Sequence, residues 1–394
     1  MSELRDFLSI KHGWAFKGEY FSDTGEQSIL TPGNFYEAGG FKRNSEKDRF
    51  YIGEFPSEFV CKNDDLIVAM TEQAAGLLGS TALVPEDDRY LHNQRIGLID
   101  CNDKMYKYFA YYLFMTKTVR EQISRSASGT KVKHTSPEKI YDVKVTVPKI
   151  QEQEKIANLL MKLDQKIALN NYINEELEAM AKMLYDYWFV QFDFPDENGK
   201  PYKFSGGKMV YNDQLKREIP EGWGVARLDQ LQIATGKRDA NFGTEKGKYD
   251  FWTTANSPIK ADEFSFEGKA ILIAGNGNFY VNFTDGKFEA YQRTYVIQSE
   301  DEKMLIFMYM ACLQSAEKLR KASNGSIIKY ITIGDVNNIS SPYDHNVVDE
   351  FVKIYRPLID QISKNKKQNQ ELTKLRDWLL PMLMNGQVKV EDKT

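Results

Sequence analysis

From residue 156 to 188, core-type positions recur at alternating steps of four and three: Ile156, Leu160, Leu163, Ile167, Asn170, Asn174, Leu177, Ala181, Leu184 and Trp188. This is the spacing of a packed helix seam, broken at its centre by two asparagines. The spacing returns as Phe351, Tyr355, Leu358, Ile362, Asn365, Asn369, Leu372, Arg376, Leu379 and Leu383, with asparagines in the same two layers. Each stretch predicts a helix of roughly 48 Å at 1.5 Å per residue. Two matching seams predict that the helices pack on each other. A polar seam residue lowers stability but fixes register. In an antiparallel pair Asn170 faces Asn369 and Asn174 faces Asn365. A parallel pair also matches asparagine with asparagine, so the seams alone leave the orientation open.

The repeat extends upstream. Leu66-Ile67-Val68-Ala69 matches Ile271-Leu272-Ile273-Ala274, and Gln94-Arg95 matches Gln292-Arg293. Ser128-Gly129-Thr130 with Lys133-His134 matches Asn324-Gly325-Ser326 with Lys329-Tyr330, and Leu4–Phe7 resembles Leu228–Leu231. Short β-like runs punctuated by Gly, Pro and Asn, plus one amphipathic helix per copy, predict two globules of mixed α/β type. The helices are expected near 105–125 and 302–321. The predicted plan is a globule at 1–149, a long helix at 150–189, a connector at 190–225, a second globule at 226–345, a second helix at 346–387 and a tail at 388–394. The fold class is α+β with an internal pseudo-two-fold repeat. The connector holds Pro195, Pro201 and Pro220, so it is not one helix. Its aromatics (Phe192, Phe194, Tyr202, Trp223) predict that it packs down.

Composition narrows the function. No apolar run reaches membrane-spanning length. Three scattered cysteines argue against a disulfide framework and fit a reducing cytoplasm. The charged opening Met1–Asp6 has no apolar core, which also fits a cytoplasmic protein. A net charge of −4 and a pI near 5.8 are not the footprint of a protein that binds nucleic acid unaided. DNA binding would need local basic patches or a basic partner.

Several stretches resemble one family, the specificity subunits of type I restriction–modification systems. They are Pro148–Gln153 entering the first long helix, Asp164–Ile167 within it, and Tyr187–Pro195 after it. Gly199–Lys203, Gly206–Val210 and Ile219–Trp223 continue the likeness into the second globule. The resemblance covers nearly the whole chain. It implies two target-recognition domains, each reading half of a bipartite double-stranded DNA site, with the antiparallel helices as a ruler. It further implies two methyltransferase subunits, and in some systems restriction or translocase subunits, assembled on this chain. It implies no catalytic residue and no cofactor here, S-adenosylmethionine being expected on the methyltransferase partners. The chain departs from the family pattern at Pro342–Val347, and at Pro381, which is expected to kink the last turn of the second helix.

Searches for chemistry in the sequence point the same way. There is no Pro-Pro for an amino-methyltransferase motif and no P-loop. The strand running into Gly275-Asn276-Gly277 lacks the third glycine of a dinucleotide site. Glu267-Gly268-Lys269 beside Asp262 faintly resembles a metal-dependent nuclease, but the first copy has no counterpart. The histidines show no metal-ligand spacing.

Two domains reading different half-sites should share phosphate-binding residues and differ at base readers. Gln94, Arg95, Gln292 and Arg293 are shared, which favours structural or phosphate roles. The basic turns Thr130, Lys131, Lys133 and His134, and Ser326, Lys329 and Tyr330, suit phosphates. Diverging segments supply the base-reader candidates: Lys42, Arg43, Thr71, Glu72 and Gln73 in the first copy, and Lys237, Arg238, Asn276, Asn278 and Tyr280 in the second.

Overall fold

Leu66-Ile67-Val68-Ala69 is apolar without alternation, as suits a strand covered on both faces, and all four residues are buried. In the computed structural model, which describes every residue except 44–47, 73, 75, 130–131, 323–328 and 392–394, this stretch is the strand β2. The strands central to the argument are β1 (Leu8–His12), β2 (Leu66–Ala69), β3 (Thr81–Leu83), β4 (Ile96–Cys101), β5 (Gln232–Thr235), β6 (Ala270–Ala274), β7 (Val281–Thr284) and β8 (Thr294–Gln298). The helices are α1 (Lys107–Met115), α2 (Lys117–Ser126), α3 (Pro137–Tyr141), α4 (Ile150–Tyr185), α5 (Glu302–Ala322), α6 (Ile333–Asn337) and α7 (His345–Met384).

The chain divides into two compact units. Unit 1 holds residues 1–169 and 368–394, and unit 2 holds residues 170–367. Each unit therefore takes half of each long helix.

In unit 1 an antiparallel sheet has the order β1-β4-β2-β3. The pleat of β2 splits its residues between two layers. Leu66 and Val68 join Phe109, Leu113, Val119 and Ile123 of α1 and α2. Ile67 and Ala69 join Leu30, Phe35 and Tyr90 beneath a second small sheet. Unit 2 repeats the plan with the order β5-β8-β6-β7. Ile271 and Ile273 pack with Leu305 and Met308 of α5, while Leu272 packs with Trp252, Phe266 and Phe288. The shorter pairings also recur. Ser2–Glu3 pairs with Lys144–Val145, and Gly224–Arg227 with Ser340–Tyr343, both antiparallel.

The long helices run antiparallel within each unit taken alone. In unit 1 the Asn369 Nδ2 donates to the Ile167 carbonyl at 3.4 Å, and Arg376 reaches Asp164 at 2.8 Å. Further along, Ile156 and Leu160 share a core with Leu383 and Met384. In unit 2 the Asn365 Nδ2 donates to Asn174 Oδ1 at 2.8 Å, and the Tyr185 and Phe351 rings lie 6.0 Å apart. One chain position falls as the other rises in both cases. Asn170, Asn174 and Asn365 are buried. Arg376 holds an otherwise apolar seam position because Asp164 meets it there, and Tyr112 donates its hydroxyl to the same carboxylate at 2.6 Å.

Pro381 does not end the second long helix. Helix α7 runs on through Pro381 to Met384, and the Asn385 N–H closes the turn on the Pro381 carbonyl at 3.0 Å. The connector packs down onto unit 2. Phe192 and Phe194 are buried in its core, and Tyr202 stacks on Phe194 at 4.8 Å. Each buried ring contributes about 2 kcal/mol of apolar burial.

Candidate nucleic-acid interface

In both units the candidate surface begins at a glycine. Gly13 follows β1 and Gly236 follows β5. A Cβ on Gly13 would lie 2.2 Å from the Asn93 backbone, and one on Gly236 would lie 2.1 Å from the Tyr291 carbonyl oxygen. Neither backbone is left-handed, so the requirement is for space, not for a special dihedral. The close approach sets two segments side by side. Trp14 bridges Asn93, and Arg238 bridges Tyr291, both in parallel. The Gln94 N–H then donates to the Trp14 carbonyl at 3.1 Å, and the Gln292 N–H to the Arg238 carbonyl at 2.9 Å.

The same turn is held from its other side. The Met70 N–H donates to the Arg95 carbonyl at 3.0 Å, and the Gly275 N–H to the Arg293 carbonyl at 2.7 Å. A returning segment crosses next. The Glu72 N–H donates to the Lys133 carbonyl at 2.9 Å, and the Thr135 N–H to the Met70 carbonyl at 2.9 Å. In unit 2 the Gly277 N–H donates to the Lys329 carbonyl, and the Ile331 N–H to the Gly275 carbonyl, both at 3.0 Å. Thr71 therefore bridges His134 where Asn276 bridges Tyr330. Two stretches with little residue identity carry the same set of backbone hydrogen bonds.

These bonds gather part of the predicted set and leave part of it elsewhere. Gln94, Arg95, Lys133 and His134 converge in unit 1; Gln292, Arg293, Lys329, Tyr330 and Asn276 converge in unit 2. Arg95, Arg293 and Lys329 are exposed and make no ion pair among the described residues. Each is a full positive charge turned to solvent. Lys133 bonds Ser124 Oγ at 3.1 Å. In unit 2 an open hollow of about 370 Å³ is lined by Gln292, Arg293, Tyr330, Tyr295 and Thr235. Asn278 donates to the Tyr280 hydroxyl at 3.1 Å on the neighbouring turn. Gln73, Thr130, Lys131 and Ser326 lie outside the described residues.

Other candidates are occupied within the chain. Arg238 reaches Glu263 at 2.7 Å and the fully buried Glu289 at 3.2 Å, and its guanidinium lies over Phe242 at 4.3 Å. Those contacts give it an internal job. Arg43 pairs with Glu86. Lys42 lies 5.9 Å from the Tyr36 ring and Lys237 lies 5.4 Å from the Phe266 ring.

Sequence reasoning missed Gly13 and Gly236, and the strand-end residues His12 and Thr235. Thr235 pairs with Tyr295, and His12 with Gly97, at the same register. A signal was available: a glycine directly follows the first sheet strand in both copies. It also missed His92, whose carbonyl accepts from the Trp14 N–H at 2.8 Å. Burial pushes its imidazole pKa down to about 4. The neutral ring donates from Nε2 to the Ile96 carbonyl at 2.8 Å.

Comparison with known proteins fits this duplicated arrangement. The profile of the type I restriction modification DNA specificity domain matches residues 1–179 and 220–374. The chain belongs to this family of type I specificity subunits. Over 330 residues it is 29% identical to the type I restriction enzyme MjaIX specificity subunit of Methanocaldococcus jannaschii, covering 76% of this chain and 73% of that one. Over 186 residues it is 34% identical to the EcoDI specificity subunit of Escherichia coli, covering 44% and 40% respectively. The S subunit of M. genitalium shares the fold, with a TM-score of 0.60 at 18% identity, covering 100% of this chain and 96% of that one. Among the described residues of this specificity chain, no group of three or more His, Cys, Asp or Glu could hold a metal ion. No described helix is long and apolar enough to cross a membrane.

Proposed function

We propose that this specificity chain reads a bipartite double-stranded DNA site, one half by each unit, and carries two methyltransferase subunits. The observation that carries the reading is the doubled Gln-Arg turn, held by the same backbone hydrogen bonds in both units and presenting each time an exposed arginine that makes no ion pair among the described residues. Such a turn suits phosphate contact, which positions a protein without specifying sequence. Divergent side chains around it can then specify different half-sites.

The acidic balance assigns labour. A chain of net charge −4 needs partners to supply much of the phosphate-neutralising charge. S-adenosylmethionine and the transfer chemistry then belong to the methyltransferase partners, and this chain is not itself an enzyme. Restriction or translocase subunits join the same assembly in systems that encode them. The complex works in the cytoplasm, on the cell's own DNA.

The test is a methylome. The chain is co-expressed with its methyltransferase subunit in an unmodified host, and N6-methyladenine is mapped genome-wide. The reading expects a split motif with a fixed gap that disappears when this chain is omitted. Methylation that persists unchanged without it, despite a confirmed complex, would make the chain a protein adaptor. Specific DNA protection by the chain alone would make it a stand-alone regulator.

A further inference from the structure

The two units place different side chains on matched backbones. The crossing segments carry the same hydrogen bonds, so the fold asks the same of both. The turn beside them is Gln-Arg in both. Yet Thr71 stands where Asn276 stands, and His134 where Tyr330 stands. Residues that both units keep suit the part of DNA common to both half-sites, the sugar-phosphate backbone. Residues that differ on a fixed frame suit the part that differs, the bases.

We propose, within the DNA-reading function above, that His134 in unit 1 and Tyr330 in unit 2 discriminate bases at corresponding positions of the two half-sites. Thr71 acts as the positioning residue for His134. Both proposed readers are exposed, Tyr330 by 44%. The Tyr330 hydroxyl makes no hydrogen bond among the described residues, and the residue lines the hollow shared with Gln292 and Arg293. The His134 Nδ1 lies 3.1 Å from Thr71 Oγ1, and Thr71 is only 5% exposed. The hydroxyl therefore takes up one ring nitrogen and leaves Nε2 for an outside partner.

The chemistry follows from that single bond. If Thr71 donates to Nδ1, the ring presents its N–H at Nε2 and matches an acceptor such as guanine N7 or O6, or thymine O4. If Thr71 accepts, Nε2 is bare and matches a donor such as cytosine N4 or adenine N6. The sense of that one bond decides what Nε2 offers a base. The Tyr330 hydroxyl both donates and accepts, and its ring offers an apolar face to a thymine methyl.

The experiment is the methylome of the whole complex, parent against variants, on the genomic DNA of the unmodified host. His134→Tyr is expected to change base preference about tenfold at one position of one half-site. The other half and the gap should stay as in the parent. Tyr330→His should do the same in the other half only. Thr71→Val should broaden the position that His134 governs, while Thr71→Ser keeps it. The proposal is overturned if His134→Tyr and Tyr330→His leave both half-sites as they were, whether or not total methylation falls. It is also overturned if Thr71→Ser broadens the motif as much as Thr71→Val. A parent complex with no split motif would instead overturn the function on which the proposal rests.

Discussion

Replacing Asn174 with leucine should cost stability through its partner more than through itself. The Asn365 amide is 4% exposed. It accepts from Gln361 Nε2 at 2.7 Å and donates to Asn174 Oδ1 at 2.8 Å. In Asn174→Leu the Asn365 donor faces a hydrocarbon with no water to turn to. A buried polar group left without a partner costs about 1–3 kcal/mol. Asn365→Leu strands the Asn174 carbonyl oxygen in the same way. In the double variant both polar groups are gone and two leucines meet in the seam, a change expected to be nearly neutral. Gln361 remains exposed and bonds water instead. The singles should therefore each lose about 2 kcal/mol, and the double should recover most of that loss. Urea unfolding of the four proteins measures this as a double-mutant cycle, with a coupling of about 3–4 kcal/mol. At a slope of roughly 3 kcal/mol per molar urea, each single should unfold about 0.7 M early. Additive losses with no recovery would mean that the amide pair does not set this layer of the helix pair.

Three further outcomes follow from the geometry. Burial holds His92 near a pKa of about 4, against 6.5 in the unfolded chain, so the unfolded state binds the extra proton between those values. Stability is whole above pH 6.5 and falls by about 1.4 kcal/mol per unit towards pH 4; urea midpoints for His92→Gln should flatten that slope, and an unchanged slope would reject the assignment. Gly236→Ala drives a Cβ against the Tyr291 carbonyl and should destabilise unit 2 by about 1–3 kcal/mol, whereas Gly224→Ala, whose Cβ meets nothing nearer than 3.9 Å, should be mild by comparison; equal melting shifts would refute the close-approach argument. Arg95→Ala and Arg293→Ala should each weaken DNA binding by the complex and reduce its log–log salt slope by about 0.9, leaving the methylated motif as it was; a changed motif would make these arginines base readers.

The long helices were legible because a seam is a one-dimensional signal. Alternating steps of four and three survive in sequence whatever packs on them, and the repeated asparagines tied one helix to the other. The seams alone did not fix orientation, since asparagine meets asparagine either way; the family resemblance implied the antiparallel pair. Contacts such as Asn369 to Ile167 and Asn174 to Asn365 then show it within each unit. The candidate interface was only half visible. Gln-Arg, and Lys133-His134 with Lys329-Tyr330, could be matched along the sequence, whereas the pairing of His134 with Thr71 and of Tyr330 with Asn276 shows only in the backbone bridges. Arg238 misled for a related reason. A basic residue beside a strand end reads as a DNA contact until the buried Glu289, distant in sequence, is found beneath it.

The division of the chain also sets an order of synthesis. Unit 1 needs residues 1–169 and then 368–394, and all of unit 2 is translated in between. At about 5–20 residues per second, the ribosome takes roughly 10–40 s to make that intervening stretch. During the wait Ile156 and Leu160 lack Leu383 and Met384, their neighbours in the finished core. The nascent chain thus carries a sticky apolar strip while unit 2 has every residue it needs as soon as position 367 has emerged. A released chain cut short soon after position 367 should hold unit 2 folded and protease-resistant beside a first unit that is still open, so late truncations should fail through aggregation of the end that was made first.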